Sequence, residues 1–346
     1  MTVSTDRSRT GNRTEAEAPG LGVRLLPILD RYGILLVILV MGLVLYALQP
    51  DVFFSWRNIT NIFKQTAVNS MLAIGMFLVI LTAGIDLSVG SVLALGMMSL
   101  AVANAAGWAW PIVLLLGPAV GLAAGFVNGV GITKLRMPHP FIMTLGMLFM
   151  ARGLANLISG GVPYTGLPDA VRFLGSAQIE LGELDGTRLN LPVGLIVTIV
   201  VYLIFWVFLE HSVLGRRIYA IGGNPQAARV SGINVDRVLI FVYSLCGLMA
   251  GFAGLMMAGR TNSGFPNAGV GAELEAIAAV IIGGASFFGG RGTVLGVFGG
   301  VIIMGLISNT LNLNNVSVFW QQILIGLIII VAVFLDVVRR GIGTRR

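Results

Sequence analysis

Most of the residues that soluble chemistry depends on are scarce here. A single cysteine, Cys246, stands among 346 residues, so no disulfide within the chain and no thiolate cluster can form. The two histidines, His139 and His211, lie far apart beside loops without companion ligands, and no metal site is expected. Lysine occurs only at Lys64 and Lys134, and neither follows a Gly-x-x-x-x-Gly loop, which excludes P-loop nucleotide binding. No dinucleotide fingerprint follows a strand. Paired carboxylates at catalytic spacing are missing as well, so the chain is not expected to be an enzyme. Charged residues make up 11%, against about a quarter in a soluble domain, too few to cover a water-facing surface.

Hydrocarbon takes their place: 56% of residues are hydrophobic and the mean hydropathy is +0.91. The unit to count is then a span of about 20 apolar residues. Ten such spans fit, near 33–49, 60–82, 88–106, 111–133, 138–158, 191–209, 237–259, 273–288, 293–311 and 318–336. Pro111 marks a first helical turn, Gly160-Gly161 ends a helix, and Pro192 opens another. The expected fold class is therefore all-α, a polytopic integral membrane protein with about ten transmembrane helices in the lipid bilayer.

The net charge of +7 does not point to nucleic acid, because the basic residues sit in short loops and form no continuous patch. They do orient the chain. Arg7, Arg9, Arg13, Arg24, Arg31, Lys134, Arg136, Arg216, Arg217, Arg229, Arg237, Arg291, Arg339, Arg340, Arg345 and Arg346 all fall on one side if both termini are cytoplasmic. Residues 1–31 then read as a disordered cytoplasmic tail with no cleavable signal peptide, 32–338 as the transmembrane domain, and 339–346 as a second cytoplasmic tail. Within the domain, 160–190 is expected to be a polar external loop and 210–236 the longest cytoplasmic loop.

Three groups of residues could carry function. The run Gly84-Ile-Asp-Leu-Ser-Val-Gly90 interrupts apolar sequence. Asp86 or Ser88 caps the helix that follows, or the break contributes to a solute path; the two roles are compatible. Glu273 and Glu275 open a span, where the helix dipole favours them, and one of them could face a polar solute. Asn69, Asn128, Asn156, Asn309 and Asn312 offer the donors and acceptors that a hydroxyl-rich solute needs, or bond neighbouring helices. Glycines recur every four residues at Gly117, Gly121, Gly125 and Gly129, at Gly292, Gly296 and Gly300, and at Gly247 and Gly251. Each set lies on one helix face and suits close helix packing in lipid.

The Gly84–Gly90 run resembles the permease subunits of bacterial ABC importers for monosaccharides, the ribose permease group. Leu214-Gly-Arg-Arg-Ile-Tyr-Ala-Ile-Gly-Gly-Asn224 with Ala227-Ala-Arg-Val-Ser-Gly-Ile233, Glu273-Leu-Glu-Ala-Ile-Ala-Ala279, and Ile282-Gly-Gly-Ala-Ser-Phe-Phe-Gly-Gly-Arg-Gly-Thr293 agree with it, over residues 33 to 338. The resemblance implies a homodimeric permease in the bacterial cytoplasmic (inner) membrane, a cytoplasmic ATPase partner that binds the ATP, and an extracytoplasmic sugar-binding protein. No cofactor is implied in this chain. It also implies that Gly215, Arg216, Arg217, Gly222, Gly223, Asn224, Ala227, Ala228, Arg229 and Gly232 dock the ATPase through a short coupling helix. Asn69, Asp86, Ser88, Glu273 and Glu275 remain candidates for the path. An ion-coupled secondary transporter of a small polar solute is the alternative, with Asp86 as its one strong candidate residue.

Overall fold

The computed structural model describes residues 21–184 and 187–343. The first half holds α1 (Leu21–Leu48), α2 (Pro50–Phe53), α3 (Trp56–Leu81), α4 (Val89–Ala105), α5 (Trp110–Lys134) and α6 (Pro140–Ser159). A short insert follows, with β1 (Tyr164–Thr165), α7 (Asp169–Ser176), β2 (Gln178–Leu184) and β3 (Thr187–Pro192). The second half holds α8 (Val193–His211), α9 (Val213–Gly223), α10 (Pro225–Val230), α11 (Val235–Thr261) and β4 (Ser263–Gly264). It ends with α12 (Ala272–Ile282), α13 (Val294–Leu313) and α14 (Val318–Gly343).

The chain is a mostly helical polytopic membrane protein. Among the described residues, seven helices are long and apolar enough to cross a membrane: α3, α5, α6, α8, α11, α13 and the Val318–Val338 part of α14. Two shorter apolar stretches, Ile34–Ala47 and Val89–Ala105, coincide with expected spans. The span expected at 273–288 is different. Its helix, α12, stops at Ile282 after 11 residues, about 16 Å at 1.5 Å per residue, well short of the ~30 Å hydrocarbon core. Gly284, Gly289, Gly290 and Gly292 all have positive φ, so residues 283–293 form an irregular turn rather than the rest of a helix.

α3 is the centre of the bundle. From Met71 to Leu81 its sequence is apolar on every side, and every side chain there is buried. α4, α11, α12, α13 and α8 pack around it. α5 lies against α11 through the glycine ladder. A Cβ at Gly121 would overlap the Gly247 carbonyl oxygen, one at Gly125 the Tyr243 carbonyl oxygen, and one at Gly251 the Gly117 carbonyl oxygen. Gly129 continues the contact to Ile240. Gly296 and Gly300 bring α13 equally close to Gly283 and Ala279, at and beside the C-terminal end of α12. Gly292 does not belong to that ladder: it precedes α13, at φ +146°, and lies against Phe77 and Ala285.

Other boundaries also shift. Residues 21–31, expected as tail, open α1, and 339–343 continue α14. Residues 1–20 and 344–346 lie outside the described residues. Within the 160–190 loop, α7 packs on α11, and β2 pairs with β3 in an antiparallel hairpin with a bulge at Glu180/Gly182. The 210–236 loop is two helices, α9 and α10. Pro111, Gly160 and Pro192 punctuate α5, α6 and α8 as expected, Gly160 with a left-handed C-cap.

Candidate functional site

Three regions meet along α3. The first is the α9–α10 segment. Ser212 caps α9 by accepting from Gly215 N at 2.9 Å. Asn224 caps α10 by accepting from Gln226 N and Ala227 N, each at 3.0 Å, with Pro225 in the first turn. Arg216, Arg217, Asn224, Ala227 and Arg229 are exposed, and Arg229 pairs with Asp236 at 3.0 Å. Val230, at 90% exposure, is an apolar side chain in the open at the end of α10. Ala228 is buried against its own chain, so the small surface offered outward is Ala227 alone. Gly215 and Gly222 also face inward: a Cβ at Gly215 would overlap the Leu209 backbone, and one at Gly222 the Leu81 carbonyl oxygen. Gly223 is exposed, and Gly232 turns the chain at φ +82°.

α9 reaches the bundle at the 283–293 turn. Tyr219 donates its hydroxyl to the Gly292 carbonyl at 3.0 Å. Burial, with the Glu210 carboxylate nearby, pushes that phenol up to about 12, so it remains a donor at neutral pH. Gly290 N donates to Leu81 O, the last residue of α3, at 2.9 Å. Asp336 of α14 accepts from Ser286 Oγ and Phe287 N at 3.1 and 3.0 Å. The turn therefore joins α3, α9, α12, α13 and α14.

The second region is a buried polar node at the break between α3 and α4. Asp86 is 1% exposed and Ser88 and Asn128 are 0% exposed. Asp86 Oδ1 accepts from Ser88 N at 2.9 Å and from Ser88 Oγ at 2.5 Å, while Asn128 Nδ2 donates to Asp86 Oδ2 at 3.3 Å and to Ser88 Oγ at 3.0 Å. Ser88 occupies the N-cap position of α4 but its side chain caps nothing, because its hydroxyl is taken by Asp86. Asp86 binds the N–H of the N-cap residue itself, so the expected capping role becomes a tie between the break and α5. Asn128 Oδ1 and the Tyr243 hydroxyl beside Gly84 have no hydrogen-bond partner among the described residues.

The third region is the broken helix. Between β4 and α12 the chain runs unwound along α4: Gly264 lies against Met97 and Ala101, and Gly269 against Gly90. That is roughly 13 Å of α4 at 1.5 Å per residue, and α12 follows directly. Glu273 and Glu275 occupy its first turn, as expected. Glu275 Oε2 accepts from Asn69 Nδ2 of α3 at 2.7 Å, and Glu273 lies against Gly90. Arg152 of α6 donates from Nη1 to the carbonyls of Pro266 and Ala268 at 2.6 and 2.7 Å. Sequence reasoning missed Arg152, although a basic residue deep inside the 138–158 span was the available signal. Two of the other amides act between helices: Asn309 and Asn58 exchange hydrogen bonds at 2.9 and 3.2 Å, and Asn312 accepts from Gln321; Asn156 instead bonds Arg152 O within α6.

Among the described residues the arrangement holds no nucleophile with a base. It holds unwound backbone, half-buried carboxylates and a helical arm outside the bundle, which are the parts of a transport protein. Residues 58–333 match the family described as branched-chain amino acid transport system / permease component. The chain belongs to that family of transport permeases. It is similar to the ribose import permease protein RbsC of Escherichia coli, 42% identical over 304 residues, covering 87% of this chain and 92% of the relative. RbsC of Bacillus subtilis is 40% identical over 309 residues, covering 89% and 93%. The D-allose transport system permease protein AlsC of Escherichia coli is 38% identical over 309 residues, covering 89% and 91%. No solved structure matches.

Proposed function

We propose that this chain is the permease subunit of an ATP-binding cassette importer that passes a monosaccharide, ribose or a similar sugar, across the bacterial cytoplasmic membrane. The observation that carries the reading is the near-full-length similarity to permeases named for ribose and allose import. A separate ATPase subunit binds and hydrolyses the ATP, and an extracytoplasmic binding protein delivers the sugar. α10 is the coupling helix, and the exposed Ala227, Arg229 and Val230 give the ATPase its surface. Motion there passes through Tyr219 and Gly222 to the 283–293 turn and so to α3 and α12, which reorients the bundle in alternating access.

Asn69, Glu273 and Glu275 line the path, where carboxylates and an amide suit sugar hydroxyls; Asp86 and Ser88, fully buried, brace the helices around it. Half-buried carboxylates inside a bilayer do not face lipid, which supports a second copy of the chain covering them in a homodimer. Counting α1, α4 and the α12 region with the seven long helices makes ten crossings and leaves both termini in the cytoplasm. Co-expression with the ATPase and binding protein, and uptake measured across a panel of pentoses and hexoses, tests the reading. Saturable uptake of one sugar is expected. Accumulation of no sugar by a correctly inserted complex would reject it.

A further inference from the structure

A transport path that passes unwound backbone needs something to hold that backbone. In a bilayer every carbonyl requires a donor, and an arginine in the apolar part of a span is expensive to keep. Both conditions meet at one residue. Arg152 sits thirteenth in the 20-residue α6, yet its guanidinium reaches the unwound 265–271 segment. The carbonyls of Pro266 and Ala268, both buried residues, have Arg152 as the one donor recorded for them among the described residues. On the other side of Gly269, Glu273 stands in the first turn of α12 and lies against Gly90, the residue Gly269 itself touches. Arg152 and Glu273 therefore flank the same short piece of chain, and no ion pair joins them in this structure. One Nη1 makes both carbonyl bonds, which leaves the other N–H groups of the fork for a second acceptor.

We propose that Arg152 is the positioning residue of the path: it clamps the 265–271 segment through the carbonyls of Pro266 and Ala268 in the state seen here, and passes to the Glu273 carboxylate when that segment shifts during transport. The exchange keeps the guanidinium satisfied in both states and moves the acidic first turn of α12 between them. Arg152 touches backbone and not solute, so it acts through Glu273 and Glu275. The proposal rests on the permease reading above.

The test uses the complete transporter with its ATPase and binding protein in proteoliposomes, in a Cys246→Ala background. Val270→Cys, at an exposed position of the segment, reports the shift through its maleimide labelling rate with and without ATP and vanadate. In the parent the two rates should differ. Arg152→Gln and Glu273→Gln should each make them equal and lower uptake roughly ten-fold at equal protein, a coupling in the usual range. The double variant should be no worse than either single one, because both break the same exchange. Arg152→Lys, which keeps the charge, should recover part of the uptake. Wild-type uptake by Arg152→Gln, or a double variant whose loss is the product of the two singles, would overturn the proposal. Should Arg152→Gln fail to assemble, Glu273→Gln decides alone: rates that still differ with nucleotide reject the latch. Labelling reads the permease whatever solute it carries, so a parent that imports no sugar would fail the functional reading while leaving the latch to be judged on labelling.

Discussion

Replacing Gly121 with alanine adds one methyl group where the structure has no room for it. A Cβ there would lie 2.8 Å from the Gly251 Cα and overlap the Gly247 carbonyl oxygen, both backbone atoms of α11 that cannot rotate away. α5 and α11 must part by about 1 Å to restore an ordinary contact, and a gap of 0.5–1 Å forfeits a quarter to a half of each dispersion well along the seam. Overpacking of this kind costs about 1–3 kcal/mol. Alanine also favours a helix over glycine by about 1 kcal/mol, which masks part of that cost. Gly153 removes the ambiguity. It is helical, on α6, with nothing within 4 Å of its Cβ position, so Gly153→Ala gains the propensity term without the clash. The two variants should differ by the packing term, about 1–3 kcal/mol. At about 2.1 cal/mol/K of unfolding entropy per residue over 346 residues, that is a separation of roughly 1–4 °C. Thermal unfolding of the detergent-solubilised protein measures it. Gly121→Ala melting with or above Gly153→Ala would refute the seam as a load-carrying contact.

The coupling segment makes a paired prediction: Ala227→Trp, at an exposed position, should insert normally yet lose ATPase binding in a pull-down, whereas Ala228→Trp should lower yield, because Ala228 is buried in its own chain. Equal behaviour of the two would contradict the orientation of α10. At the buried node, Asp86→Asn should retain most of the stability because an amide oxygen still accepts from Ser88. Asp86→Ala should cost about 1–3 kcal/mol by leaving the Ser88 N–H and hydroxyl without their acceptor, read as a lower melting temperature. A cysteine at Asn224 should react with membrane-impermeant maleimide only in inverted vesicles; labelling in intact cells would reverse the proposed topology.

Much of the helical content was legible because it is written in long apolar runs and in punctuation such as Pro111, Gly160 and Pro192. The α5–α11 seam was legible too, since four-residue spacing of Gly117, Gly121, Gly125 and Gly129 fixes a face, though not the partner helix. The Asn224–Pro225 start of α10 followed from local capping chemistry. What escaped was long-range. Hydropathy averages over a window, so it joined the 11-residue α12 to the glycine turn behind it and reported one span. Nothing local to Ser88 reveals that Asn128, forty residues on, completes the node that Asp86 and Ser88 begin. Ala228 looks like surface in a polar loop and is buried by tertiary packing. Arg152 was visible as an oddity in an apolar span, but its carbonyl partners lie more than a hundred residues away.

Energy source is the point on which the proposed function turns. Uptake should be measured in proteoliposomes holding the permease, the ATPase and the binding protein, with ATP inside or absent and with an ionophore that collapses proton and sodium gradients. The account predicts sugar accumulation that requires ATP hydrolysis, disappears when the ATPase is inactivated, and ignores the ionophore. Accumulation that persists without the ATPase and collapses with the ion gradient would contradict it and return the chain to the ion-coupled class.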